Sequence, residues 1–205
     1  MTPETVFIVD DDPAVREGLS ALLAANKYAV ETFASAEEFL AAIGPDRAGC
    51  LVADIRMSGM SGLELQRELT RRALPIPTVI ITGHGDVPLA VAALKAGAVD
   101  FLEKPFDSDV LLASVAEAMR RIGKRKDAGF DRAEIAARAA ALSAREREVM
   151  DLVVAGHPNK MVAHRLGIAI RTVEIHRARV MEKLGARNLS ELVRMAILLE
   201  STPYA

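Results

Sequence analysis

Five short apolar runs recur along the first 120 residues, each separated from the next by a helix-period pattern. This alternation constrains the chain more than any other feature. The runs are 5–9 (TVFIV), 28–33 (YAVETF), 50–54 (CLVAD), 77–82 (PTVIIT) and 98–102 (AVDFL). Between them, residues 13–25 place Val15, Leu19, Leu22 and Leu23 on one face. Residues 61–73 do the same with Leu63, Leu65 and Leu69. Helix starts are signalled as well. Asp12-Pro13 reads as an N-cap followed by proline at the first helical position. Ser35 with Glu38, and Ser61 with Glu64, have capping-box spacing. Strands alternating with helices require a parallel sheet covered on both faces. The expectation is a flavodoxin-like, doubly wound α/β domain with a five-stranded parallel sheet.

From Leu142 the pattern is wholly helical. Ser143 and Glu146 open a helix that Gly156-His157-Pro158 breaks. A short helix is expected over 159–166, a turn at Gly167-Ile168, a longer helix over 172–184, and a last one capped by Asn188 and Glu191. Two helices joined by a tight glycine turn predict a helix-turn-helix within a four-helix, all-α domain. The expected organisation is a first domain over 1–122, a linker over 123–137 that can be helical, and a second domain over 138–205.

Charge supports that division. Residues 1–120 hold ten Lys and Arg against eighteen Asp and Glu, whereas residues 121–205 hold sixteen against ten. An acidic front and a basic back point to two modules with different partners, and a basic module often meets nucleic acid. A single cysteine, Cys50, excludes an internal disulfide and a cysteine-based zinc site. Aromatics at 4 %, with no Trp, argue against a base-stacking platform for single strands. No apolar run reaches the ~18 residues of a membrane span, and the N-terminus does not read as a signal peptide. The expected location is the cytoplasm, without a membrane.

In doubly wound sheets, ligands bind where strands end near the switch point. Asp10, Asp11 and Asp12 follow the first strand, Asp54 ends the third, Thr82 and Gly83 end the fourth, and Lys104-Pro105 follows the fifth. Asp12 is assigned to the helix cap, and His84 to an ordinary loop. The remaining carboxylates would repel unless neutralised, and a hard divalent cation such as Mg2+ does so with oxygen ligands. Such a cation and Lys104 suit phosphoryl chemistry with one carboxylate as nucleophile. On the second domain's longer helix, Val173, Val180 and Leu184 share the inward face. Arg171, Thr172, Glu174, Ile175, Ala178 and Arg179 lie nearer the helix start or opposite, where base edges would be read. Lys160, His176, Arg177 and Lys183 flank them and could meet phosphates. His157 and His164 have no metal-site partners. The stripe of Leu189, Leu192, Val193 and Ala196 reads as core or as a surface pairing two such domains.

The front half resembles the receiver domain of two-component response regulators, on VDDDPAVREGL, DIRM, ITGHGDVPLAVAALKAGAVDFLEKPF and the Asp10/Asp11–Asp54–Thr82–Lys104 set. The back half resembles the LuxR-type DNA-binding domain, notably on NKMVAHRL and RTVEIHRARVMEKL. Together they are similar to the FixJ-type regulators. The resemblance implies that Asp54 accepts a phosphoryl group from a sensor histidine kinase. It also implies that Asp10, Asp11, Asp54 and the Arg56 carbonyl bind Mg2+, and that Thr82 and Lys104 contact phosphoryl oxygens. Phe101 would be the aromatic that turns inward on activation. Glu174, Ile175 and Ala178 would occupy base-reading positions. It further implies a homodimer when phosphorylated, a double-stranded DNA operator, RNA polymerase as a partner, and an oxygen-sensing haem kinase acting on nitrogen-fixation or microaerobic genes. The face of the fourth helix, 87–97, would dimerise, with Val91 and Lys95 as candidates.

Three departures from the family are visible. Met57-Ser58 stands where Met-Pro is usual, which predicts a freer loop. Pro158 stands where Ser or Ala is commoner, and Ala169 where Ser often caps the recognition helix. The chain is expected not to be an enzyme. Two rival readings remain: a Mg2+-dependent phosphatase, whose second Asp is replaced here by Arg56, and a constitutive DNA-binding protein with a passive front domain.

Overall fold

A computed structural model describes residues 4–45, 47–83, 87–122 and 132–200. His84 and the linker stretch 123–131, with Gly123 and Gly129, lie outside the described residues. The strands are β1 (Thr5–Val9), β2 (Ala29–Phe33), β3 (Gly49–Asp54), β4 (Thr78–Thr82) and β5 (Asp100–Glu103). The helices are α1 (Pro13–Ala25), α2 (Ala36–Ala42), α3 (Gly62–Arg71), α4 (Val87–Lys95), α5 (Ser108–Arg120), α6 (Arg132–Ala140), α7 (Ala144–Val154), α8 (Asn159–Leu166), α9 (Ile170–Leu184) and α10 (Leu189–Glu200).

The chain divides into two compact units, one of Met1–Asp86 with Ala96–Lys126, the other of Val87–Lys95 with Asp127–Ala205. The first holds a wholly parallel sheet in the order β2-β1-β3-β4-β5. β1, β3 and β4 are buried along their whole length because both faces are covered. One face packs Val6, Ile8, Cys50, Val52, Val79 and Ile81 against Leu19 and Leu23 of α1 and Leu111, Val115 and Ala118 of α5. Phe7 turns to the opposite face and meets Phe39 with tilted rings 5.5 Å apart, and Phe33 meets Phe39 edgewise at 5.3 Å. Cys50 is fully buried in this core, and burial pushes its thiol up to about 12.

The expected caps form, with one adjustment. Asp12 accepts from the Ala14 N–H at 2.9 Å with Pro13 following. Ser61 and Glu64 complete a reciprocal capping box. Ser35 caps α2, but Glu38 accepts from the Ala34 N–H, one residue earlier than a box requires. Two glycines are demanded by close approach. A Cβ on Gly49 would lie 2.1 Å from the Thr5 carbonyl oxygen, and one on Gly62 2.3 Å from the Asp54 carbonyl oxygen.

Among the described residues, the second unit holds helices and no strand. Its core is Ile135, Val149, Met150, Val153, Val162, Val173, Val180, Leu184, Leu192, Val193 and Met195. α6 begins inside the stretch expected as linker and packs on α9 and α10. In the stripe of α10, Leu192, Val193 and Ala196 are core residues. Gly167, at φ 64°, ends α8 in the left-handed conformation, and Ile168 N–H returns to the Ala163 carbonyl at 3.1 Å. α9 then starts at Ile170 with Ala169 at the cap position, extended at φ −69° and ψ 149°, offering no side-chain hydrogen bond. Serine fits that backbone. Ala169→Ser is therefore expected to stabilise the helix by about 1 kcal/mol, seen as a raised thermal midpoint; an unchanged midpoint refutes it.

No helix among the described residues is long and apolar enough to cross a membrane.

Candidate functional site

Register brings the strand-end residues together. Val9 pairs with Ala53, so Asp10 and Asp54 stand level on neighbouring strands. Asp54 pairs with Ile81, which sets Thr82 just beyond it. The Lys104 N–H then donates to the Thr82 carbonyl at 2.7 Å, fixing where the lysine leaves β5. Its ammonium reaches Asp54 Oδ1 at 2.7 Å and Asp10 Oδ2 at 2.9 Å. Asp54's other oxygen accepts from the Arg56 N–H at 2.6 Å. Asp10 Oδ1 accepts from the Asp12 N–H at 2.9 Å.

Asp10 and Asp54 are buried, with only 1 % and 6 % exposed. Burial raises the Asp54 carboxyl above its usual range, against the opposing pull of Lys104 and the Arg56 N–H. Burial pulls the Lys104 ammonium down, but its bonds to Asp54 and Asp10 outweigh that and leave it raised. Asp11 is exposed and lies to one side. The N–H and hydroxyl of Ser58 both donate to its Oδ2 at 2.9 Å, and these bonds lower its pKa. Thr82 is fully buried, and its hydroxyl has no hydrogen-bond partner among the described residues. That orphaned donor stands beside a buried carboxylate and a half-buried cation, an arrangement suited to receiving an anionic, oxygen-rich group.

The second unit presents the N-terminal half of α9. Arg171, Glu174, Ile175, Ala178 and Arg179 are exposed, Ile175 at 46 %. Val173, Val180 and Leu184 are buried beneath them. The exposed side chains combine guanidinium, carboxylate and apolar groups on one helix, the chemistry that reads base edges in a major groove.

Two family models match the chain. Residues 6–116 match the response regulator receiver domain, and 140–196 match the bacterial regulatory proteins of the luxR family. The chain belongs to the response regulators. It is 50 % identical over 197 residues to the transcriptional regulatory protein FixJ of Rhizobium meliloti, covering 96 % of this chain and 97 % of that one. It is 47 % identical to the C4-dicarboxylate transport transcriptional regulatory protein DctR of Rhodobacter capsulatus, covering 93 % and 98 %. The crystal structure of full-length FixJ from B. japonicum superposes with a TM-score of 0.56 at 45 % identity, covering 97 % and 98 %.

Not every expected site residue of this response regulator stands as anticipated. Asp10, Asp54, Thr82 and Lys104 converge. Asp11 is drawn off by Ser58, and among the described residues no three acidic, His or Cys side chains are gathered as an ion site. The β3–α3 loop is not freer for lacking proline. Ser58 ties it to Asp11, the Met60 N–H donates to Glu37 at 3.0 Å, and Ser61 closes the capping box. Phe101 is half-buried. Val91 is buried at 4 % exposure, so of the two dimer candidates only Lys95 is on the surface.

Among the DNA candidates, Lys160 is exposed and Thr172 and His176 are half-buried. Lys183 is not a free cation. Its ammonium donates to Glu146 at 2.6 Å and to the Ala141 carbonyl at 3.1 Å, helping to hold the Glu146 carboxyl down at about 2. It thus ties the α7 cap to α9. Arg177 is half-buried and donates to Asn159 at 2.6 Å, and burial lowers its pKa. Sequence reasoning missed three supports: Arg16, which donates to the Asp10 carbonyl at 2.7 Å, Glu37 and the Glu146–Lys183 pair. Glu146 was flagged by its capping-box spacing and Lys183 as a phosphate contact, but not as partners. Arg16 stood only within the VDDDPAVREGL motif, and nothing singled out Glu37.

Proposed function

We propose that this chain is a phosphorylation-switched transcriptional regulator in which Asp54 takes a phosphoryl group from the histidine of a sensor kinase. The observation that carries this reading is Asp54 itself. It is a buried carboxylate held between the Lys104 ammonium and the Arg56 N–H, beside a hydroxyl without a partner among the described residues.

The chemistry follows from these groups. An Asp54 oxygen attacks phosphorus, the bond from phosphorus to the donor imidazole breaks, and the imidazole leaves with its electron pair. The phosphoryl group adds charge and acceptor oxygens where Asp54 had two. Lys104 keeps a partner by moving from a carboxylate oxygen to a phosphoryl oxygen. Thr82 gains the acceptor it lacks. Its displacement opens room for the half-buried ring of Phe101. The donor set of Asp10, Asp11, Asp54 and the Arg56 carbonyl is all oxygen, the type a Mg2+ ion takes. Such an ion would offset charge on the entering phosphoryl group.

The signal then passes to the output domain. The receiver is assigned to 1–122 and the output domain to 138–205, with α6 extending the output side into the 123–137 stretch that joins them. Two phosphorylated chains would pair through the fourth-helix face, placing two α9 helices on adjacent half-sites of a double-stranded operator. Arg171, Thr172, Glu174, Ile175, Ala178 and Arg179 would face bases. Lys160, His176 and Arg177 would lie toward phosphates, to which Arg177 brings a cation already oriented by Asn159. The similarity to FixJ supports target genes of nitrogen fixation or microaerobic growth, an oxygen-sensing haem kinase, recruitment of RNA polymerase and a cytoplasmic setting. The comparable identity to DctR means that the stimulus has to be tested directly.

Mass in solution tests the switch, measured by light scattering with Mg2+ before and after a small acyl-phosphate donor. The expected result is a shift from monomer to dimer in the natural chain and none in Asp54→Asn. A shift that persists in the variant refutes Asp54 as the phosphoacceptor. Confirmed phosphorylation without a shift refutes receiver pairing.

A further inference from the structure

Asp11 and Ser58 lie 47 residues apart in sequence, yet Ser58 gives both its donors to one oxygen of Asp11, each at 2.9 Å. The contact joins the β1–α1 loop to the β3–α3 loop. The second loop is anchored independently, through Met60 to Glu37 and through the α3 capping box. Ser58 is therefore the fixed partner, and Asp11 the side chain being positioned. A carboxylate oxygen has two lone-pair directions, and two donors occupy both. A hard cation binding through carboxylates uses the same lone pairs. Lys104 meanwhile occupies one oxygen each of Asp10 and Asp54. Of these competitors, Lys104 is a charged residue of the site, whereas Ser58 is a neutral side chain whose removal leaves every carboxylate in place.

We propose that Ser58 is a positioning residue that competes for Asp11, holding its carboxylate against the β3–α3 loop so that the acidic pocket takes up Mg2+ less readily. The inference rests on the reading of this pocket as a Mg2+ site. It makes the loop residue a setting for the Mg2+ concentration at which the receiver becomes competent. A proline at this position could supply neither hydrogen bond, since it lacks both the N–H and the hydroxyl.

Calorimetric titration of MgCl2 into the full-length chain, after dialysis against a chelator, tests it. Ser58→Ala removes the hydroxyl and keeps the N–H. Ser58→Pro removes both donors, and Ser58→Thr keeps both. A hydrogen bond to a charged group is worth enough that losing one should tighten the Mg2+ Kd about five-fold in Ser58→Ala. Ser58→Pro should bind tighter still, and Ser58→Thr should match the natural chain. A purely structural role would move the thermal midpoint in Mg2+-free buffer without that graded order of Kd. An unchanged or weaker Kd in Ser58→Ala overturns the inference and leaves the pocket reading standing. No binding by any of these chains overturns the pocket reading, and this inference with it.

Discussion

Lys104→Met is expected to cost the receiver about 3 kcal/mol and to abolish activation by a phosphoryl donor. The ammonium is the partner shared by two buried carboxylates, at 2.7 and 2.9 Å. Removing one member of a buried ionic group leaves the others uncompensated, which is far more costly than losing a surface pair. Methionine fills a similar volume, so the effect reports charge rather than a cavity. The pH dependence has a defined sign. Burial already raises the Asp54 carboxyl above the usual carboxylate range, and losing Lys104 raises it further. A carboxyl whose folded pKa is raised favours folding below its unfolded value and loses that contribution as pH rises through the folded one. The variant should therefore come close to the natural chain in acid and fall progressively behind as pH rises. Urea titrations at several pH values would show this; a gap that stays constant with pH refutes the electrostatic account.

Gly62→Ala should be nearly as damaging, by a different route. The new Cβ would stand 2.3 Å from the carbonyl oxygen of Asp54 and 3.1 Å from its carbonyl carbon. These are backbone atoms, so either α3 retreats or the end of β3 moves. A loss of about 3 kcal/mol is expected, together with slower phosphoryl uptake, because the displaced atoms belong to Asp54, the proposed phosphoacceptor. Gly49→Ala is the matched control. Its Cβ meets the Thr5 carbonyl at 2.1 Å, at the opposite end of the same strand. It should destabilise the fold at least as much while leaving the uptake rate of the folded protein unchanged. Equal effects on uptake would refute the specific link between Gly62 and Asp54.

The fold was largely legible because periodicity and caps agreed. β1, α1 and α8 occupy 5–9, 13–25 and 159–166 as expected, each bounded by a clear stop or start such as Asp12-Pro13 or Gly167. Boundaries slipped where the signal was weak. β5 runs over 100–103 rather than 98–102, since its short apolar run has no turn residue to end it. α9 starts at Ile170, two residues early, because Ala169 gives no side-chain cap to mark the place. The convergence of Asp10, Asp54, Thr82 and Lys104 was legible too, since strand ends in a parallel sheet share an edge. What sequence did not show is which groups compete for these side chains. Ser58 could be seen only as a missing proline, and its bond to Asp11 spans two loops. Lys183 looked like any cation beside a recognition helix, and its partner, Glu146, lies on another helix.

The single thiol of the chain has a practical consequence. Cys50 is hydrogen-bonded into the centre of the sheet beside Val6, fully enclosed, and with its thiol pushed up to about 12 it carries almost no reactive anion at neutral pH. A thiol-reactive dye should thus remain blind to the native molecule and stain it only once β3 has come away from its neighbours. The protein carries its own unfolding reporter, and a cysteine introduced on any exposed helix could be labelled against a silent background.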